Sequence, residues 1–449
     1  MRAPGLFTAV FLVVGCGDTT VISGSPSLGG SGGSAGKWDG GVDAAAGTSA
    51  SDASGGSGAS GGTGGTGGTG GTGGTGGTGG TNSGTGGADA GTDAGAGGDG
   101  GVTLCPAGRW TTQEVAGVPT GTARVALRSD GLPVIAFFRA DTADAVMRFC
   151  EDVECSQSRE FTIQSHSWVG SRIDLEVGPM GPFLAFTDET ARMRVMMCAD
   201  MDCNGATPVT GTLPGEVVNW VDVSVMNGAA MFFYREATLG MLARRCDNAA
   251  CSGSQNPPLY QTAGGDQDFP SSMQRSSGFP LVFHYDGTGG LRATGCTDFP
   301  NCNQTLTTNH QVLSGGRGRW PAALEIGGLP FVVFRDDATV GLGAARCLNT
   351  ECSQAATPVL LDDGDVGYQP DLTAVGSRPV AVHKSAAGAI RVTVCSDSAC
   401  TSVTSEELGA SGSVGTSELD RPGIVASNDG VVHVVYGTAT QLVHACTRF

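Results

Sequence analysis

The sequence predicts an all-β fold, a seven-bladed β-propeller carried behind a disordered N-terminal tether, and three observations lead there. Cysteine pairs recur at Cys150/Cys155, Cys198/Cys203, Cys246/Cys251, Cys296/Cys302, Cys347/Cys352 and Cys395/Cys400, with first-cysteine spacings of 48, 48, 50, 51 and 48 residues, and Cys446 follows Cys395 by 51. A fixed period near 50 residues marks a repeat architecture, not one irregular core. Between the pairs, short runs of β-branched and aromatic residues are bounded by Gly, Pro, Asp or Asn, and no stretch shows a 3.6-residue apolar stripe of helical length. Finally, Cys105 and Cys446 lack neighbours, and their flanks match complementary halves of the repeat.

The chain begins with residues of a different kind. Arg2 supplies a short positive region and Leu6–Val14 an apolar core too short for a stable span. Val13-Val14-Gly15-Cys16 then has the form of a lipobox, so residues 1–16 are expected to be a lipoprotein signal peptide whose Cys16 becomes the lipidated N-terminus. An ordinary signal peptide cleaved near Gly15 is the other reading. Acylation at Cys16 would supply the multiple acyl signals that stable anchoring requires. The membrane partner is therefore reached through the lipid, with the protein exported and attached to the bacterial outer membrane or cell surface.

Residues 17–104 form the tether. Seven Gly-Gly-Thr triplets fill Gly61–Thr81, flanked by Gly, Ser, Ala and Asp with hardly an apolar residue. Such a segment cannot bury enough surface to offset its ordering entropy. A flexible chain of that length reaches roughly 50 Å root-mean-square. Gly29-Gly30-Ser31-Gly32-Gly33 matches the hydrolase elbow G-x-S-x-G formally, but no strand precedes it and no helix follows.

Residues 105–449 are the folded part, with four strands per repeat. The second unit shows them as Glu160–Ile163, Arg172–Val177, Pro182–Thr187 and Arg192–Cys198. Four antiparallel strands per ~49 residues make a propeller blade. The seventh blade is split, with its outer strand from Arg109–Val115 and three inner strands from Gly423–Cys446. Closing the ring this way leaves no open sheet edge between first and last blades. Each cysteine pair flanks the turn between third and outermost strands, where a disulfide closes a hairpin loop worth about 2 kcal/mol in the chain-entropy model. Cys105 with Cys446 closes the ring. The spacing suits neither a zinc finger nor a redox-active pair, and the abundance of cysteine points to an oxidising compartment.

This layout of lipobox, Gly-rich tether and blades with a C-x4-C hairpin resembles secreted propeller lipoproteins of the kind myxobacteria encode. The resemblance implies the seven-bladed fold and surface display but brings no catalytic residues with it. The chain is similar, more distantly, to sialidase-like propellers. It contains no S-x-D-x-G-x-x-W box and no F/Y-R-I-P segment, so sialidase activity is not implied.

Propellers bind at the mouth of the central channel, and two columns of the repeat are expected there. Trp168, Trp220, Phe269, Trp320 and Tyr368 precede the innermost strands of five blades. They would either stack on sugar rings and apolar side chains or wedge between blades. Arg139, Asp188, Arg235, Asp286 and Asp336 end the second strands, with Ser385 and Gly437 in the last two. They would pair with a polar ligand or remain solvated turn residues. The clusters Asp362-Asp363-Gly364-Asp365 and Asp286-Gly287-Thr288-Gly289-Gly290 offer oxygens to calcium without a recognised loop spacing, so no metal or cofactor is assigned. A formal charge of −18 argues against nucleic acid as a partner. No nucleophile stands with an evident base, and no catalytic residue is assigned. The favoured function is a monomeric, non-enzymatic binding module for carbohydrate or protein. The alternative is a hydrolase or lyase acting on surface polysaccharide, marked by convergent carboxylates such as Asp188, Asp286 and Asp336.

Overall fold

A computed structural model describes residues 105–116, 120–164, 172–188, 192–203, 209–212, 217–236, 240–246, 258–260, 268–287, 289–297, 307–411 and 420–449. The expected signal peptide with Cys16, the expected tether, Trp168, Cys251 and Cys302 lie outside the described residues.

The chain forms seven four-stranded antiparallel sheets, each running outward from the channel in sequence order. After β1 (Thr111–Ala116), the first complete blade is β2 (Thr120–Leu127), β3 (Pro133–Arg139), β4 (Asp144–Cys150) and β5 (Ser158–Gln164); the next is β6 (Ile173–Gly178), β7 (Gly181–Thr187), β8 (Met193–Met197) and β9 (Val209–Thr212). The third is β10 (Val217–Met226), β11 (Ala229–Glu236), β12 (Gly240–Cys246) and β13 (Pro258–Tyr260), and the fourth β14 (Asp268–Gln274), β15 (Pro280–Asp286), β16 (Gly290–Cys296) and β17 (Thr307–Gln311). The fifth is β18 (Arg317–Ile326), β19 (Leu329–Asp336), β20 (Gly341–Arg346) and β21 (Val359–Asp362), and the sixth β22 (Tyr368–Val375), β23 (Arg378–Lys384), β24 (Ala389–Cys395) and β25 (Val403–Ala410). The last blade is split as expected: β26 (Gly423–Ala426), β27 (Val431–Gly437) and β28 (Leu442–Arg448) pair in order, and β1 adds to β28 as the outer strand.

The hydrophobic core is a set of layers between blades. One layer packs Phe183, Val195 and Met193 against Val221, Phe232 and Leu242 of the next blade. Because each sheet has a neighbour on both faces, its second strand reads as a continuous apolar run, and PVIAFFR and GPFLAFT are buried almost throughout. The disulfides lie where the repeat places them. Cys105 bonds Cys446 across a sequence separation of 341, and Cys150–Cys155, Cys198–Cys203, Cys347–Cys352 and Cys395–Cys400 close hairpins with a separation of 5. Cys246 and Cys296 are also disulfide-bonded. In each described hairpin the second cysteine takes a left-handed conformation, φ between 50° and 58°, and its N–H donates to the carbonyl three residues back. The bridge and that turn hold a conformation that costs an ordinary residue roughly 1–2 kcal/mol.

The closing seam carries a polar link as well. His444 Nδ1–H donates to the Glu154 carbonyl at 3.0 Å, so its Nε2 accepts from His433 Nδ1–H, also at 3.0 Å. Both rings are buried and neutral.

Candidate binding site

The site is built on the innermost strands, which present a sheet edge to the channel. One side chain per blade occupies the same position along them, namely Arg124, Asp174, Asp222, Ser271, Ala322, Asp371 and Gly423, each paired with the middle of its second strand. An unpaired edge leaves backbone N–H groups without partners, and this row supplies them. Asp174 Oδ2 accepts from the Val223 N–H at 2.7 Å, Asp222 Oδ2 from Ser272 at 2.8 Å, Ser271 Oγ from Ala323 at 3.0 Å and Asp371 Oδ2 from Ile424 at 3.1 Å. Every donor is on the innermost strand of the following blade, so the row latches blade to blade.

Arg124 reverses the sign in the row and ties it together across the channel. Its Nε lies 2.9 Å from Asp174 Oδ1, and its Nη1 lies 3.2 Å from Asp371 Oδ2 and donates to the Pro422 carbonyl at 2.9 Å. Arg421 enters from the loop before β26, 3.7 Å from Asp371 Oδ1. Burial and the neighbouring Arg124 charge bring the Arg421 guanidinium down to about 10. Burial also raises Asp174 above its ordinary value despite Arg124, and it raises Asp222 well above its own with the Asp174 charge added. Glu176, one step nearer the opening on β6, is pushed up to about 8 by burial and by the Asp174 and Asp371 charges. It is partly accessible, but what it faces is a protein-walled cavity.

That cavity has a volume of about 680 Å³. Its wall is polar, with the row above at its inner end and Ser224, Ser272 and Thr373 along it. It opens between the hairpins that join first and second strands, where Ser129–Gly131 and Ser427–Asp429 line it. The opening is thus at the end of the channel opposite the one expected from the sequence.

At that expected end the aromatic column packs on itself. Phe269 and Trp320, and Trp320 and Tyr368, have ring centroids 5.4 Å apart, and all three rings are buried. The space among Phe269, Pro270, Trp320, Pro321, Gln369 and Arg421 is only about 10 Å³. A β-bulge at the start of the innermost strands causes this. Phe269, Trp320 and Gln369 each sit in the left-handed region just before a proline, which turns the first two rings toward the neighbouring blade. The equivalent position in the sixth blade is thus Gln369, one residue after Tyr368. Trp220 occupies the corresponding place on β10.

The charged column at the ends of the second strands is tied down within its own blades. Arg194 Nε donates to Asp188 Oδ2 at 2.8 Å, Arg292 donates to Asp286, and Arg317 Nε lies 3.5 Å from Asp336 Oδ1. Arg139 Nη2 donates to Glu160 Oε2 at 2.8 Å. The register also moves one member. Glu236, not Arg235, pairs with Gly240 as Asp286 does with Gly290 and Asp336 with Gly341. Asp188, Asp286 and Asp336 each lie beside a cation and line no part of the cavity. Of the acidic clusters, Asp362 is held by His383 and Arg391, which bring it to about 2 against the pull of burial. Asp365 accepts from Arg335 and Tyr368. Among the described residues, no group of three or more His, Cys, Asp or Glu is arranged to hold a metal ion.

No protein-family model matches the chain, and no curated protein does. Solved structures do. The chain is similar to the β-propeller domain of Cps50 (Swd1) from Myceliophteria thermophila, at 11% identity and TM-score 0.51, over 76% of this chain and 98% of that one. It is also similar to a protein of unknown function from Dyadobacter fermentans, at 12% identity and TM-score 0.43 over 75% and 98% of the chains, and to a puromycin hydrolase, at 13% identity and TM-score 0.47 over 73% and 51%. The first likeness shows the propeller fold.

Proposed function

We propose that the propeller is a binding module whose ligand is a carbohydrate, taken into the cavity at the hairpin end of the channel. The observation that carries this is the cavity wall. Its volume of about 680 Å³ suits a small ligand. Carboxylates, guanidiniums and hydroxyls line it, and the rings of Phe269, Trp320 and Tyr368 pack elsewhere. Such a wall discriminates by hydrogen bonds and suits a hydroxyl-rich ligand better than an apolar peptide side chain. The lipobox at Cys16 and the Gly-rich segment after it support display from a cell surface on a lipid anchor, with the chain acting as a monomer.

A glycan array probed with the full chain tests this. Saturable binding that Thr373→Trp abolishes without lowering the melting temperature supports the reading, because Thr373 lines the cavity. Absence of any glycan binding refutes it. A hydrolytic reading has one observation in its favour, since Asp174, Glu176, Asp222 and Asp371 share the cavity. Turnover of chromogenic glycosides by the full chain would select it.

A further inference from the structure

The ionisable groups of the cavity are unequally matched. Arg124 is committed to Asp174, Asp371 and the Pro422 carbonyl, and Arg421 approaches Asp371. At the opening, Arg128 pairs with Asp130 at 3.1 Å and Asp202 at 2.6 Å. Asp222 and Glu176 are left over. Among the described residues, no lysine, arginine or histidine lies within ion-pair distance of either. Asp222 is only 8% exposed, and both bonds it accepts, from the Ser272 N–H and hydroxyl, fall on Oδ2. Asp222 lines the cavity. Glu176 lines it too and accepts from the backbone N–H of Val177. A buried carboxylate without a cation is costly in a protein that fills its own sites.

From this we infer that the ligand carries an ammonium group, as an amino sugar does, and that Asp222 and Glu176 receive it. This rests on the cavity being a carbohydrate site. Arg124 and Arg421 face Asp174 and Asp371 on the inner wall, and the Arg421 charge also reaches Asp222, so the acidic groups without an ion-pair partner lie on the Asp222 and Glu176 side. Hydroxyls of the same sugar would find Ser224 and Ser271, which line that side as well. The raised Glu176 adds a measurable consequence. Held near 8, it is protonated at pH 6.5 in the free protein and ionises when an ammonium sits beside it, so binding releases a proton.

The test is calorimetric titration of the full chain at pH 6.5 with chitotriose, whose three rings carry free amines, and with its fully N-acetylated form. Chitotriose should bind at least ten-fold tighter. Repeating the titration in buffers of different ionisation enthalpy should show proton release for chitotriose and none for the acetylated trimer. Asp222→Asn keeps an acceptor for the Ser272 N–H and should weaken chitotriose at least ten-fold and the acetylated trimer by much less. Glu176→Gln, whose amide oxygen keeps an acceptor for the Val177 N–H, should do the same and reduce the proton release. Equal or tighter binding of the acetylated trimer overturns the inference and leaves the carbohydrate reading standing. So does a neutral glycan that binds when chitotriose does not, or an equal loss for both trimers in Asp222→Asn. If no glycan binds at all, the carbohydrate reading itself fails.

Discussion

Removing the Cys105–Cys446 bridge with Ala at both positions should destabilise the protein far more than removing any hairpin bridge. Chain-entropy arithmetic sets the scale. For a sequence separation of 341, loop closure is worth at most about 6 kcal/mol, and for a separation of 5 about 2 kcal/mol. Cys395→Ala with Cys400→Ala is the matched control. All four sulfurs are nearly inaccessible, so both double variants lose the same buried thioether-like volume and differ mainly in the loop they release. The difference in urea unfolding free energy should approach about 4 kcal/mol. A local reporter is available, because Trp110, just before β1, packs edge-on against Phe449 with centroids 6.1 Å apart. β1 is held to the domain through its ladder with β28, so its release should change Trp110 fluorescence before the main transition. An equal or greater loss in the Cys395/Cys400 control would refute the reasoning.

Stability should also peak near neutral pH. Burial brings His284 and His444 down to about 4, and burial with the adjacent His444 brings His433 to about 3. The stability from keeping them neutral is present above their unfolded value of 6.5 and is lost as pH falls toward 4; His284 alone accounts for about 3 kcal/mol. Glu176 acts in the other direction, since its penalty is full above pH 8 and is relieved as pH falls toward 4.5. A melting-temperature profile should therefore have its maximum near pH 6.5, below which the three histidines outweigh Glu176, and Glu176→Gln should flatten the fall above it. Arg124→Met leaves Asp174 and Asp371 without their shared guanidinium and should cost about 3–5 kcal/mol at pH 7, measurable by urea titration. Gly318→Ala should be strongly destabilising, because φ is +105° and the new methyl would enter the Leu291 backbone; an unchanged melting temperature would contradict the placement of β18 against β16. If Cys16 carries the anchor, Cys16→Ser should move the protein from the membrane to the soluble fraction on cell fractionation.

The blade count and the split blade were legible because a disulfide hairpin falls at one fixed point of every repeat. Cysteine is rare enough that its spacing survives the drift of everything between. The candidate site was harder to read. Asp174, Asp222, Ser271 and Asp371 recur at nearly the cysteine period or a multiple of it, but each is one polar residue in an apolar strand, and Arg124, Ala322 and Gly423 break the pattern. Their common role appears only when the ring closes and each carboxylate meets the next blade's N–H. The shift from Tyr368 to Gln369, at the bulge that opens β22, has a simpler cause. Side-chain direction in a strand has period two, and a bulge that adds residues moves the count without leaving a mark in composition. The aromatic column was visible, but its rings serve packing, because left-handed backbone before proline turns Phe269 and Trp320 sideways.

The position of Cys105 has a mechanical consequence. Force arriving along the chain that precedes it would, without the bridge, peel β1 from its single neighbour one hydrogen-bond pair at a time. With the bridge, load passes through the Cys105–Cys446 sulfurs into β28, which is flanked by strands on both sides and must be sheared, not unzipped. A bound ligand pulled away from its support would accordingly break its own contacts before the ring opened. Under reducing conditions the same pull would start at β1, and the protein would become the weaker link.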